Sequence, residues 1–105
     1  MATWDTAIEP VSVIPSDTNN TTLFTASAAT LVTVTAANLT PDTVEVRIGI
    51  TPSGGSVHWK AYDFALPGGE SLELGSYPIR NGDAITVRTA VADSVEFSAV
   101  GLVSS

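Results

Sequence analysis

The chain has 105 residues, the size of one compact domain with a single core, and 44% of them are hydrophobic. Eleven acidic residues against Arg47, Lys60, Arg80 and Arg88 leave a net charge of −7, which repels phosphate backbones and anionic lipid and so excludes nucleic acid and membrane as partners. The absence of cysteine removes disulfides, thiolate nucleophiles and thiolate metal sites, and no apolar run approaches the roughly 20 residues that cross a bilayer.

In chain order, "MATWDTAIEP" lacks a basic segment followed by an apolar one, so no cleaved secretory signal is expected and synthesis in a cytoplasm is the default. Residues 1–20 hold Pro10, Pro15 and the polar run "SDTNN" around the short apolar "VSVI", and read as an irregular arm or edge segment. The triplets Asn20-Thr21-Thr22 and Asn38-Leu39-Thr40 match glycosylation acceptors, but a threonine-rich composition accounts for them. "TTLFTAS" (21–27) and "ATLVTVTAAN" (29–38) alternate as two strands. "DTVEVRIGI" (42–50) is the clearest strand, with Val44, Val46, Ile48 and Ile50 on one parity and Thr43, Glu45, Arg47 and Gly49 on the other.

After the loop "TPSGGS" comes "SVHWKAYDF" (56–64), whose apolar parity switches near Ala61-Tyr62. A β-bulge, or a strand passing from one sheet to the other, produces such a switch, with Trp59 in the core and His58 and Lys60 facing solvent or a neighbouring subunit. "ESLELGS" (70–76) is the next strand. Pro78 and Asn81-Gly82 announce turns, the latter suited to a type I′ hairpin. "DAITVRTAVA" (83–92) and "SVEFSAVGLV" (94–103) complete the pattern, and a parity shift toward Val100 and Leu102 implies a bulge or a face covered on both sides. The expected fold is an all-β single antiparallel β-sandwich of seven or eight strands, Ig-like or jelly-roll-like, over residues 21–105, preceded by the arm at 1–20.

Residues with chemistry are sparse. His58 is the only imidazole; Ser56 shares its strand face but Asp63 faces away, which is poor geometry for a catalytic triad. Glu45, Glu73 and Glu96 take outward parities where solvated charge is expected, and nothing singles out a glycosidase pair. One histidine and no cysteine exclude the common zinc sites, and no calcium-binding loop motif is present, although Asp42 and Asp83 lie beside turns. "PSGGS" leads into a strand and is a turn, not a phosphate-binding loop. Trp4, Trp59, Tyr62 and Tyr77 offer faces for sugar stacking, but alternating strand positions place such rings in a core or interface. The expectation is a protein with no catalytic residue, no cofactor and no metal.

Residues 21–103 resemble small β-sandwich modules found among virion structural proteins of tailed bacteriophages. The likeness rests on Leu23-Phe24-Thr25, on Val44 to Ile50, on His58-Trp59 with Tyr62-Asp63, on the strand Gly82 to Arg88 and on Val95 to Gly101. The resemblance implies a non-enzymatic virion component: a head decoration (cement) protein, or a tail, fibre or collar module that binds host glycan or another virion protein. A chain with little beyond the domain fits decoration better than a long fibre. Its partners would be the major capsid protein or other virion proteins and further copies of itself, a trimer foremost, with avidity summed over a lattice. Trp4, His58, Lys60 and Tyr77 are the candidate interface residues, and the arm is the candidate capsid contact.

Overall fold

The computed structural model describes residues 4–104, and among these it contains nine strands and no helix. They are β1 (Trp4–Ala7), β2 (Val11–Val13), β3 (Thr21–Thr25), β4 (Thr30–Asn38), β5 (Val44–Thr51), β6 (His58–Leu66), β7 (Ser71–Ile79), β8 (Ala84–Thr89) and β9 (Val95–Ser104). Two of them, β1 and β2, lie within the first twenty residues.

One sheet runs β1-β9-β4-β7 with β2 also on β9, and the other runs β3-β8-β5-β6; all pairings are antiparallel. The partners are nested in the chain: β2 with β9, β3 with β8, β4 with β7 and β5 with β6. Such nesting is a long hairpin rolled into two layers, so the sandwich is a jelly roll rather than Ig-like. Residues of alternating strands fill the space between the layers: Val32, Val34 and Ala36 from β4 meet Val46, Ile48, Ile85, Val87 and Phe97 in a core closed to solvent.

Three local expectations are corrected. Arg80–Asp83 is a turn, closed by Asp83 N–H donating to Arg80 O at 3.0 Å, but Gly82 (φ 90°) is its only residue with positive φ, as in a type II turn. It links β7 of one sheet to β8 of the other, and a type I′ turn is favoured where flanking strands pair and share a twist. Pro78 lies inside β7 rather than in a turn; β7 is an edge strand, where a missing N–H is tolerated. The parity shift in the last strand is not a bulge, because β9 pairs with β4 in unbroken register from Val95 to Val103. Nor is the outer face covered: Val100 and Leu102 lie 48% and 39% exposed.

Gly101 explains the glycine of that strand. A Cβ there would come within 2.1 Å of the Leu31 carbonyl oxygen, so β9 and β4 approach too closely for any side chain.

Candidate functional site

The parity switch in residues 56–64 is a β-bulge. Ile48 pairs with Ala61 but Val46 pairs with Phe64, so Tyr62 and Asp63 both stand opposite Arg47. Lys60 is a second extra residue, because Gly49 pairs with Trp59. Asp63 takes a left-handed backbone (φ 52°), a conformation that aspartate tolerates better than most residues.

The bulge aims Asp63 at Arg47. Arg47 Nε donates to Asp63 Oδ1 at 2.7 Å and Nη2 to Oδ2 at 3.2 Å, a two-pronged ion pair. Hydrogen bonding from Arg47 holds the Asp63 carboxyl below the usual aspartate range, and the same bond raises Arg47. The Arg47 guanidinium lies over the Tyr62 ring at 3.9 Å and 5.7 Å from the Trp59 ring centroid, and the two rings meet edge to face at 6.0 Å.

Trp59 is therefore not a core residue. Its ring lies over Gly49 on the outer face of the β3-β8-β5-β6 sheet, where a Cβ on Gly49 would meet Trp59 at 2.9 Å. The second extra residue of β6, Lys60, turns Trp59 outward; the parity switch near Ala61-Tyr62 signals only the first, and so leaves Trp59 on the inward parity of Ala61. Tyr62 remains 59% exposed and Phe64 43% exposed, both on an edge strand.

On the same outer face Arg88 of β8 stands directly opposite Arg47 of β5. Arg88 Nε donates to the backbone carbonyl of Thr18 at 2.8 Å, which draws the β2-β3 connection across the sheet. Thr18, Glu45, Arg47, Asp63, Arg88 and Ala90 line an open recess of about 310 Å³. Two like charges opposite each other on one sheet face repel. The carboxylate of Asp63 on Arg47 and that of Glu45 on the same strand offset this. Strand parity puts Glu45, Arg47 and Arg88 outward; the parity switch signals the bulge but not that it aims Asp63 at Arg47, and the Thr18 loop, which completes the recess, gives no local signal.

The candidate interface residues are spread over the molecule. Trp4 is half-buried in β1 opposite Ser104, and His58 is exposed opposite Ile50. Lys60 is exposed, with Nζ 5.8 Å from the half-buried Tyr77 ring, linking the edge strands β6 and β7 of the two sheets. Lys60 and Tyr77 thus form one patch, while Trp4 belongs to a strand at the other side of its sheet.

Other polar groups are committed to structure. Asp83 Oδ1 accepts from Ser53 N–H at 3.1 Å and Oδ2 from Arg80 N–H at 2.9 Å, and these bonds lower its carboxyl below the usual range. Asn38, 3% exposed, donates to Asp42 O and Leu66 O at 2.8 and 2.9 Å and accepts from Thr40 N–H and Thr40 Oγ1. Its amide is fully used, which explains this acceptor-like triplet as a structural knot. No described hydrogen bond joins His58 to Ser56 or Asp63, and no described group of three His, Cys, Asp or Glu side chains sits together.

No protein-family model matches the chain, and no curated protein matches it. Among solved structures it is similar to one from infectious bursal disease virus, Gx strain, at 13% identity and TM-score 0.49, covering 94% of this chain and 33% of that one. It is also similar to the globular domain of zebrafish complement 1qA protein, at 12% identity and TM-score 0.48 over 90% and 95% of the two chains. A third is the CBM22-1 xylan-binding domain of Paenibacillus barcinonensis Xyn10C, at 9% identity and TM-score 0.36 over 97% and 79%. The chain thus spans a third of the first of these. None of them shows a bacteriophage family, and at these scores they carry no argument about activity or partner.

Proposed function

We propose that this chain is a non-enzymatic structural protein of a tailed-bacteriophage virion, a decoration protein that attaches to the head surface and reinforces it. The supporting observation is apolar surface left outside a full core. Val100 and Leu102 point outward from β9, Leu31 stands opposite Leu102 on β4, and Tyr62 and Phe64 protrude from the β6 edge. Exposed apolar patches on a sandwich whose interior is already packed mark contact with other proteins. The open edges of β6 and β7, with Lys60 against Tyr77, supply a second place for contact, and a trimer would cover them.

Attachment to a repeated lattice sums many modest contacts, so affinity per copy is low and occupancy high. The test is sedimentation of the purified protein with heads lacking it, followed by cryo-EM of the loaded particles. Density on the head is expected, and a Val100→Asp/Leu102→Asp double variant should remain in the supernatant. Density confined to the tail, fibres or collar would move the protein to a tail-associated module; virions whose mass spectra lack the chain would end the reading.

A further inference from the structure

We propose that the recess on the outer face of the β3-β8-β5-β6 sheet binds a neutral sugar unit of a glycan, a site independent of the attachment surface on β9. Its volume of about 310 Å³ lies at the small end of ligand sites. Of its six lining residues only Ala90 lacks a polar side chain, so an apolar ligand gains little there. An anion fares no better: Glu45 and Asp63 match Arg47 and Arg88 one for one, within a chain of net charge −7.

What suits such a lining is an uncharged molecule dense in groups that both donate and accept. Among the described residues, the Glu45 carboxylate and the terminal nitrogens of Arg88 have no hydrogen-bond partner. Arg88 is already oriented, since its Nε is spent on Thr18 O and its outer edge is left free. A carboxylate that only accepts and a guanidinium that only donates, on neighbouring strands, complement the adjacent hydroxyls of a pyranose ring. Beside the recess, Tyr62 stacks on the lining residue Arg47 and keeps 59% of its surface in solvent, an apolar face for a second sugar unit. The Arg47–Asp63 pair holds this arrangement before any ligand arrives, which lowers the ordering cost of binding.

The test applies the full-length protein to a glycan array of neutral, acidic and amino-sugar oligosaccharides, then titrates methyl pyranosides of the retained class by NMR. Neutral glycans should be retained, and the Nε–H signals of Arg47 and Arg88 should shift on titration. Arg88→Ala and Glu45→Ala should each weaken binding about tenfold or more. Should Arg88→Ala unfold for want of its Thr18 bond, Glu45→Gln carries the test, because it breaks no hydrogen bond of the described residues and gives up only the charge that Glu45 sets beside Arg47. A flat array, retention of acidic glycans alone, or binding that the Glu45 variants leave unchanged would overturn the proposal. Head attachment unaltered in the same variants would show that the two surfaces act separately; attachment lost together with glycan binding would refute that independence.

Discussion

Arg47 and Asp63 meet as a two-pronged ion pair, 2.7 and 3.2 Å across its two bonds, at a place where β6 sets two residues against one of β5. Without the extra residue Asp63 would fall on the other parity, and Arg47 would face Arg88 across the strands without its carboxylate. The bulge is thus what makes a paired-arginine surface tenable.

Titration of Asp63 checks that pair. Its carboxyl is lowered by the Arg47 hydrogen bond, so the contribution of the pair is complete above the ordinary aspartate value and is lost as pH falls through the lower, folded value. In Arg47→Ala the Asp63 midpoint, followed by carboxyl carbon NMR, should rise toward about 3.9. A midpoint that stays in place would mean that Arg47 is not the cause.

Asp83 ties the β5-β6 loop to the Arg80–Asp83 turn through two backbone donors. Asp83→Asn leaves one of those N–H groups facing an amide NH2, and thermal melts should show a lower midpoint near neutral pH. Because the lowered carboxyl stabilises the fold only while ionised, the gap between wild type and variant should be full near neutral pH and narrow as pH falls below the ordinary aspartate value of about 3.9 and through the lower, folded one. An equal gap at both ends would contradict this role.

Asn38 closes the β4-β5 connection with four hydrogen bonds in a buried position. Asn38→Ala removes the amide donor from the Asp42 and Leu66 carbonyls and the acceptor from Thr40, and is expected to cost about 2–4 kcal/mol in denaturant unfolding, from several lost partners at once. A loss below about 1 kcal/mol would show that water replaces the amide.

Glycine at 49 makes room for the Trp59 ring, and glycine at 101 lets β9 approach β4. Gly49→Ala should displace the tryptophan and shift its fluorescence while the fold persists. A methyl on residue 49 would meet the His58 carbonyl oxygen at 2.8 Å as well as the Val57 and Trp59 side chains. One on residue 101 would be driven to 2.1 Å from the Leu31 carbonyl oxygen with only backbone around it, so Gly101→Ala is expected to destabilise more, by about 3 kcal/mol or more, at the upper end for overpacking. Comparable stability of the two variants would reverse this ordering.

Period-two alternation determined a good deal by itself. Val44, Val46 and Ile48 inward and Glu45 and Arg47 outward follow from the pleat, and the seven strands from Thr21 onward lie near their expected places because turn residues separate them. Even the bulge near Ala61-Tyr62 was legible, since a parity switch inside one strand requires an extra residue. Tertiary structure alone decided which strands pair, and hence a jelly roll rather than an Ig-like sandwich, because nested pairing joins residues far apart in the chain. It also decided that Trp59 turns outward and that Asp63, Arg88 and the Thr18 carbonyl converge on Arg47. Parity assigns a side chain to a face of its own strand, but which neighbours share that face depends on register and sheet order, which no local pattern encodes.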